Sequence, residues 1–301
     1  MQAIFRNQYG SPDVLQLQTL PKPEPRADQL LVRVRASTVN RTDCGILRGR
    51  PFIIRFFTGL LRPTLATTGT DFAGIVEAVG PDVSGFRVGS RVFGFDDNGL
   101  SSHATYLLIS EKKALAEIPA NCSFEQAAAS LEGAHYAYNF ISKVDLGPNH
   151  RVLINGASGA IGSAALQLVK ARGSMVTAVC NTKNTARIKA LGADRVIDYE
   201  KTDFTRDAAR YHFVFDAVGK SSFDRCKRLL LPGGVYISSE LGWMAQNVFL
   251  ALVTPLFGAK KVIFPIPVDI PRSLQVITNA IAVGAFDALI DRTYPLEAAA
   301  D

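Results

Sequence analysis

The fold is decided by residues 152–162, which read Val152-Leu153-Ile154-Asn155-Gly156-Ala157-Ser158-Gly159-Ala160-Ile161-Gly162 and lead into a helix-like segment from Ser163 to Arg172. An apolar strand, a glycine-rich turn and a helix follow one another, an order typical of a nucleotide diphosphate site. Gly159 lets the backbone approach a pyrophosphate, Gly162 lets the helix pack on the strand, and the free amides of the helix N-terminus attract phosphate. An ordinary strand-to-helix turn is the alternative, because this motif alone is a weak signal and Ala157 stands at its first position.

The segments after this turn repeat the alternation of strand and helix. Apolar runs span residues 175–180, 195–199, 213–218 and 234–238, with helix-like segments in between. Because these strands are apolar throughout rather than at every second position, they predict a parallel sheet that is covered on both faces. We therefore predict an α/β fold with a Rossmann domain, a doubly wound parallel sheet, over residues 122–270, in which residues 261–266 form the sixth strand.

The composition fits a globular protein of two domains. The chain has 301 residues and is 48% hydrophobic, which is enough to bury a large core. Its net charge of +6 is spread along the sequence and favours attraction of an anionic cofactor over binding of nucleic acid. No nucleic-acid-binding module is recognisable, so we expect no nucleic-acid partner. The first residues do not resemble a signal peptide, so we expect a cytoplasmic location.

Two apolar stretches, residues 51–61 and 248–258, are too short and too interrupted to span a bilayer. We favour a buried loop or helix for each. The alternatives are an apolar cover over a substrate, a dimer face or a patch that touches a membrane surface. The four cysteines have no CxxC spacing, and we interpret them as mostly buried thiols rather than as a zinc lobe or a disulfide framework.

Residues 1–121 have a different pattern, with short strands such as 30–35 and 74–79, many glycines and prolines and little helical periodicity. This pattern predicts a β-rich domain with a distorted barrel. It contains Gly69-Thr70-Asp71-Phe72-Ala73-Gly74-Ile75-Val76-Glu77-Ala78-Val79-Gly80-Pro81-Asp82-Val83, which resembles the GHExxGxxxxxGxxV signature of the medium-chain dehydrogenases and reductases. Together with the glycine-rich turn, the resemblance covers nearly the whole chain. It implies a GroES-like domain from residues 1–121 and 271–301 in addition to the Rossmann domain.

The resemblance also implies that the chain lacks a catalytic metal. In zinc-containing members of this family the histidine of the signature binds the metal, and Thr70 stands at that position. The positions of the other two ligands fall at Asn40 and near Glu132. A catalytic zinc needs three protein N, S or O ligands, and Asn40, Thr70 and Glu132 are not a credible set. The segment Asn40-Arg41-Thr42-Asp43, followed by Arg48-Gly49, instead resembles the zinc-independent quinone oxidoreductase branch.

Four residues are candidates for the catalytic site. In the quinone oxidoreductase branch the residue matching Asn40 lines the cleft for nicotinamide and substrate, so we predict a cofactor-binding and catalytic role for Asn40. Thr42 and Asp43 follow it, although a helix N-cap for Thr42, and a cap or a pairing with Arg48 for Asp43, are structural alternatives. Glu132 is a candidate buried acid with a raised pKa. Structural or surface roles are expected for the four histidines, His103, His135, His150 and His212.

The second Rossmann strand ends without the carboxylate that NAD-specific enzymes use to bind the ribose hydroxyls. Small polar residues and Lys183 stand there instead, and a lysine attracts a 2′-phosphate, so we favour NADP(H). A solvated surface lysine is the alternative for Lys183. Tyr199 matches a tyrosine near the adenosine phosphate of NADPH-using relatives. The predicted cofactor-binding residues are Asn40, Gly156, Ala157, Ser158, Gly159, Ala160, Ile161, Gly162, Asn181, Thr182, Lys183, Tyr199, Ala217, Val218, Gly219 and Ser238.

Conjugate reduction is the favoured reaction, because it does not need the Lewis acid that alcohol oxidation uses. The resemblance implies an NADPH-dependent oxidoreductase that delivers hydride to an electron-poor carbon of a small apolar quinone or of an α,β-unsaturated aldehyde or ketone. The alternatives are a carbonyl reductase or alcohol dehydrogenase of the same superfamily, and a non-catalytic NADPH-binding sensor. The resemblance also favours a homodimer.

Overall fold

The computed structural model describes residues 1–266 and 268–301, and they form two compact units. Unit 1 comprises Met1–Glu132, Ile270–Ala282 and Ile290–Asp301, and unit 2 comprises Gly133–Asp269 and Val283–Leu289. The domain boundaries after residues 121 and 270 stay a prediction. Within the described residues, no helix has both the length and the apolar character needed to cross a membrane.

Unit 1 is built on antiparallel strands. They are β1 (Gln2–Phe5), β2 (Gln16–Thr19), β3 (Gln29–Ala36), β4 (Asp71–Val79), β5 (Arg91–Phe95), β6 (Tyr106–Ser110) and β7 (Leu115–Glu117), and the first helices are α1 (Arg41–Arg48), α2 (Arg55–Thr58) and α3 (Phe124–Ala129). β1 pairs with β2, and a five-stranded sheet has the order β6-β3-β4-β5-β7. Buried and partly exposed positions alternate along β6, as expected for a strand covered on one face. Leu30, Phe72 and Val92 are among the residues that form its core.

From residue 132 onward, helices alternate with parallel strands. The elements are α4 (Glu132–Ile141), β8 (Arg151–Asn155), α5 (Ala160–Lys170), β9 (Met175–Cys180), α6 (Thr185–Ala190), β10 (Arg195–Asp198), β11 (Tyr211–Asp216), α7 (Phe223–Cys226), β12 (Leu230–Ser238), α8 (Gln246–Phe257) and β13 (Lys261–Ile263), followed by α9 (Ile270–Ala282) in unit 1. The six strands pair in the order β10-β9-β8-β11-β12-β13. This is the doubly wound order, whose direction reverses between β8 and β11. Val152, Leu153 and Ile154 of β8 are fully buried, as its unbroken apolar sequence predicts.

The predicted fold class is confirmed, because unit 2 contains a doubly wound parallel sheet and unit 1 is β-rich. Two local predictions are wrong. The sixth strand, β13, ends at Ile263 rather than at residue 266, and Pro265 has no N–H to donate to the ladder. The apolar stretches are not buried: Phe57 in the first and Leu256 in the second are 71% and 74% exposed. In α8 only one side packs on the core, through Leu250 and Ala251.

Candidate functional site

The glycine-rich turn of unit 2 is held by the backbone. It leaves β8 through Gly156, whose φ of +81° is unfavourable for a residue with a side chain. The N–H groups of Gly156 and Ala157 both donate to the carbonyl of Val179 in β9, at 3.1 and 3.0 Å. A Cβ at Gly162 would lie 2.2 Å from the carbonyl oxygen of Gly156. The turn therefore requires glycine at two positions for reasons internal to the protein.

Gly159 differs from its neighbours because space is left beside it. It is the N-cap of α5, with φ −81° and no side-chain cap, and a Cβ there would meet only the Gly156 carbonyl oxygen at 3.5 Å. No acidic residue lies in the first turn of the helix. Free amides and the positive end of the helix dipole attract an anion at this point. These features fit the pyrophosphate of a dinucleotide. Ser158, Ala160 and Ile161 are the other residues of the turn next to Gly159.

The remaining predicted cofactor residues of unit 2 follow the carboxyl ends of neighbouring parallel strands. Asn181, Thr182 and Lys183 follow β9, Tyr199 follows β10, Ala217, Val218 and Gly219 follow β11, and Ser238 ends β12. Since parallel strands end at one edge of the sheet, the structure brings these residues to the same edge as the glycine-rich turn. Open α/β sheets bind their ligands at that edge.

Asp216, the last residue of β11, organises the loop beside the turn and was not predicted as a site residue. Its buried carboxylate accepts hydrogen bonds from Asn155 Nδ2 at 3.0 Å and Tyr236 Oη at 3.0 Å. It also accepts from the N–H groups of Gly219 and Ser221, at 3.1 and 3.0 Å. A carboxylate at the end of an otherwise apolar strand was the sequence signal available. Asp216 fixes the loop that contains Ala217, Val218 and Gly219.

The turn after β9 has carboxylates beside it, although the second Rossmann strand itself ends without one. Thr182 Oγ1 donates to Asp198 at 2.6 Å, and the N–H of Thr182 donates to Glu200 at 3.0 Å. Lys183 is exposed, and Tyr199 is 53% exposed. These carboxylates come from the end of the third Rossmann strand, β10, and not from the end of the second. Both charge signs are therefore present where a ribose 2′-phosphate is expected.

In unit 1, Asn40 and Asp43 form the N-terminal cap of α1. Asn40 Oδ1 accepts the N–H of Asp43 at 2.8 Å, and the carboxylate of Asp43 accepts the N–H of Asn40 at 3.2 Å. This reciprocal pair is a capping box. Of the structural alternatives, capping by Asp43 is therefore present, and the N-cap is Asn40 rather than Thr42. Gly49, in the left-handed conformation, ends the helix.

The amide nitrogen of Asn40 is held by three oxygen atoms. Nδ2 donates to Thr70 Oγ1 at 2.8 Å, to Thr38 Oγ1 at 3.1 Å and to Asp71 Oδ2 at 3.1 Å. An amide has two hydrogens, so the protein already uses its whole donor capacity. A substrate oxygen that binds Asn40 must displace one of these acceptors.

Asp71 is the buried acceptor at the centre of this network, and it was not among the predicted site residues. It is fully buried and accepts hydrogen bonds from the N–H of Thr38 at 2.7 Å and from the hydroxyls of Thr38 and Ser37. Burial raises the pKa of Asp71, and the nearby Asp43 raises it further. Its place beside Thr70, in the GHE position of the family signature, was the available signal.

Glu132 is buried in unit 1 and bonded to Thr42. Thr42 Oγ1 donates to Glu132 Oε1 at 3.0 Å. Burial raises the pKa of Glu132 to about 7, with the hydrogen bond from Thr42 acting in the opposite direction. Burial likewise raises the pKa of Asp43 to about 7. The structure thus brings the four predicted catalytic residues together in unit 1, and gives Glu132 the raised pKa expected for it.

His103 and Arg6 are two further buried residues next to this network. His103 Nε2 lies 2.8 Å from the carbonyl oxygen of Thr38 and Nδ1 lies 2.8 Å from Thr68 Oγ1, contacts that suit a neutral imidazole. Burial lowers the pKa of His103, which agrees with a structural role. Arg6 is buried and donates to the carbonyl of Ile46 at 2.7 Å, and its charge partly offsets that of Asp43.

A small cavity of about 20 Å³ is lined in part by Arg6, Asp43 and Thr70, and this volume suits a single water molecule. Within residues 1–266 and 268–301, no group of three or more His, Cys, Asp or Glu side chains is arranged to hold a metal ion. The two early positions that bind zinc in relatives hold Asn40 and Thr70, whose side chains are hydrogen-bonded to each other. These donors do not fit a catalytic zinc.

Comparison with known proteins identifies the family. Residues 26–120 match the alcohol dehydrogenase GroES-like domain, and residues 191–301 match the zinc-binding dehydrogenase family. The chain is 29% identical over 321 residues to the chloroplastic quinone-oxidoreductase homolog of Spinacia oleracea, covering 100% of this chain and 93% of the relative. It is 29% identical over 248 residues to the chloroplastic NADPH-dependent alkenal/one oxidoreductase of Arabidopsis thaliana, covering 79% of this chain and 62% of the relative.

The structure is similar to that of the quinone oxidoreductase from Coxiella burnetii, with a TM-score of 0.84 and 25% identity over 100% of this chain and 93% of that one. The chain belongs to the medium-chain dehydrogenase/reductase superfamily and is a quinone oxidoreductase-like member of it. It is therefore an oxidoreductase, and the resemblance predicted from the sequence is confirmed.

Proposed function

We propose that this protein is an NADP(H)-dependent, zinc-independent oxidoreductase that reduces quinones or α,β-unsaturated aldehydes and ketones. The observation that carries the proposal is the hydrogen bond between Asn40 Nδ2 and Thr70 Oγ1, which joins two positions used for metal ligands in zinc-containing relatives. An amide and a hydroxyl that are bonded to each other do not replace the ligands of a catalytic zinc. A reduction that needs no Lewis acid suits this arrangement.

The cofactor fits unit 2 through the turn of residues 156–162. The backbone amides at the start of α5 would hold the pyrophosphate, and the loop fixed by Asp216 would lie along the cofactor. Lys183 and Tyr199 would hold a 2′-phosphate, and the name of the Arabidopsis relative supports NADPH. When bound, NADPH supplies the hydride. The predicted homodimer and cytoplasmic location stay predictions.

Glu132 is the residue of this chain best suited to supply a proton. Conjugate reduction adds a hydride to the β-carbon and a proton to the α-carbon of the acceptor, so a proton source is needed. A carboxyl group whose pKa is raised to about 7 is partly protonated at neutral pH. Thr42 orients this carboxyl group through the 3.0 Å hydrogen bond. Asn40, Thr70 and Asp71 keep the loop before α1 in one conformation.

The test measures the oxidation of NADPH and of NADH by the loss of nicotinamide absorbance. The acceptors are quinones, enals, enones and saturated aldehydes, and a chelator is present. We expect turnover of the unsaturated acceptors with NADPH preferred. In deuterated water the α-carbon of the product gains deuterium if the C=C bond is reduced. Reduction of a saturated carbonyl places the solvent hydrogen on oxygen, where it exchanges.

Two results would contradict the proposal. Turnover restricted to saturated carbonyls or alcohols, and dependent on added zinc, would identify a carbonyl reductase or alcohol dehydrogenase. Tight NADPH binding with no oxidation by any acceptor would identify a non-catalytic sensor. The matched control is Gly162→Ala, which should lose cofactor binding and therefore all oxidation of NADPH above the buffer rate.

A further inference from the structure

Residues 50–62 of unit 1, which we call the arginine-flanked segment, present an unusual number of apolar side chains to solvent. The segment contains a short 3₁₀ turn, Phe52–Ile54, followed by α2. A soluble surface rarely groups so many large apolar side chains without a binding partner. The exposed fractions are 59% for Phe52, 61% for Ile53, 67% for Phe56, 71% for Phe57, 51% for Leu60 and 85% for Leu61.

The backbone beneath these side chains is held in place. Thr58 is buried, and Tyr9 Oη lies 2.9 Å from Thr58 Oγ1 and donates to the carbonyl of Gly59 at 2.6 Å. The carbonyl of Thr58 accepts the N–H of Thr64 at 2.8 Å and its hydroxyl at 2.9 Å. These hydrogen bonds anchor the backbone of the segment on its interior side. The apolar side chains therefore face the solvent.

The charged residues in this part of the sequence all have one sign. Between Asp43 and Asp71 the sequence contains four arginines, Arg48, Arg50, Arg55 and Arg62, and no acidic residue. Arg48, Arg50 and Arg62 are exposed. The guanidinium of Arg55 lies over the ring of Tyr9 at 4.6 Å, so it stays at the base of the segment. Within the described residues, none of the four forms a salt bridge with a carboxylate of the chain.

We propose that the arginine-flanked segment docks the protein on the surface of an anionic lipid bilayer. Exposed phenylalanine and leucine side chains enter the boundary between headgroups and acyl chains, and arginines beside them bind anionic headgroups. A second copy of the chain fits less well. A twofold interface places the same surface of both copies in contact, so it would bring the arginines of one copy against those of the other.

The first experiment is flotation of the 301-residue chain with vesicles of phosphatidylcholine alone or mixed with phosphatidylserine. We expect binding to the mixed vesicles that weakens as salt is added. Arg50→Gln/Arg62→Gln should lower partitioning by about 30-fold. Phe56→Ser/Phe57→Ser should lower it by roughly 100-fold. All variants should keep the wild-type melting temperature, because the changed side chains are exposed.

The matched controls change the same unit elsewhere. Arg26→Gln/Arg87→Gln removes two exposed arginines of unit 1, and Val88→Ser removes a 61% exposed apolar side chain. Both should bind the mixed vesicles as the wild type does. Equal loss in the controls would show that binding depends on net charge or on general stickiness, and it would overturn the proposal.

A fluorescent probe locates the contact. The chain has one tryptophan, Trp243, so Trp243→Phe with Phe57→Trp places the only indole in the segment. Its emission should shift to the blue with mixed vesicles and not with phosphatidylcholine alone. An unchanged emission would overturn the proposal. The proposal would also be overturned if the wild type does not bind vesicles and Phe56→Ser/Phe57→Ser loses either self-association or turnover of a water-soluble enone. The segment would then be a contact between copies or a part of the substrate site.

Discussion

The glycine-rich turn of unit 2 and the Asn40 network of unit 1 each contain predicted site residues, and they are built in opposite ways. The turn is held mainly by backbone. Its hydrogen bonds reach the adjacent strand β9, Gly162 packs on the carbonyl of Gly156, and Gly156 packs on Val218 in the loop after β11. The network consists of side chains that are distant in sequence. Asn40 and Thr70 are 30 positions apart, and Thr42 and Glu132 are 90 positions apart.

This difference determines how each region responds to mutation. A backbone site tolerates changes of side chain at most positions but not the addition of a Cβ where two segments of backbone touch. A buried side-chain network is sensitive to the loss of single polar atoms and to pH, because unpaired or charged groups are costly in the interior.

The largest effect is expected for Gly162→Ala. Its Cβ would lie 2.2 Å from the carbonyl oxygen of Gly156, so the turn must open. We expect loss of NADPH affinity by more than about 100-fold and a destabilisation of about 1–3 kcal/mol. Titration of NADPH fluorescence and thermal unfolding measure the two quantities.

The matched control for this prediction is Gly159→Ala, where the nearest atom would be 3.5 Å away. Its melting temperature should equal that of the wild type, while its NADPH affinity falls because the new methyl group occupies the space for phosphate. If both variants bind NADPH normally, the turn is an ordinary strand-to-helix connection.

In the network of unit 1, Glu132→Gln should lower kcat by about 100-fold or more without changing the Kd for NADPH. The wild-type rate should fall as pH rises through about 7, because Glu132 then loses its proton. Thr42→Val removes a hydrogen bond that favours the carboxylate, so the pKa of Glu132 rises and this fall moves to higher pH. The pH profiles of kcat measure both effects, and an unchanged kcat in Glu132→Gln would show that another group gives the proton.

The same buried carboxyls should make the protein less stable as pH rises. The pKa values of Asp43 and Glu132 are raised to about 7, so in the folded state these groups hold protons that the unfolded chain has already released above about pH 4. Between these values each group lowers the free energy of unfolding by about 1.4 kcal/mol per pH unit. Chemical unfolding from pH 4.5 to 7 measures the slope.

Glu132→Gln should remove the contribution of one group from that slope. The matched control is Glu297→Gln, which changes an exposed carboxyl group and should leave the slope as in the wild type. A wild-type protein whose stability is constant or increases over this range would show that the network does not hold its protons.

The smallest effects are expected at the turn after β9, where side chains of unit 2 contribute. Lys183→Ala should weaken NADPH binding by about fivefold and leave NADH binding unchanged, as expected for an exposed charge. Glu200→Gln should increase the preference for NADPH, because Glu200 lies at Thr182 and repels a 2′-phosphate. Ratios of kcat/KM for the two cofactors measure both variants. An increase in the preference for NADPH in Lys183→Ala would place the 2′-phosphate elsewhere.

The predictions from sequence succeeded where a feature is local and periodic. The apolar strands and the turn at residues 156–162 were predicted correctly, because a parallel strand buried on both faces reads as an unbroken apolar run. The burial of residues 51–61 and 248–258 was predicted wrongly. Hydropathy records how apolar a segment is, but not whether the rest of the fold covers it.

For the candidate site, the sequence was informative about residue identity and less about bonding. Thr70 at the histidine position and Asn40 at the cysteine position indicated a changed metal site, but not that the two residues are bonded to each other. Asp71 and Asp216 were not recognised as centres of hydrogen-bond networks. The carboxylates of Asp198 and Glu200 beside Thr182 were not predicted, because they lie at the end of β10 whereas Thr182 follows β9.

The sequence by itself determined the doubly wound sheet, the glycine-rich turn and the superfamily, because these depend on backbone geometry that short spacings of glycine and apolar residues specify. Only the tertiary structure decided which polar side chains pair and that Asp43, Asp71 and Asp216 are buried together with the predicted Glu132. It also decided which apolar side chains remain exposed. Each of these properties depends on residues far apart in the chain, since desolvation and hydrogen bonding act through distance in space.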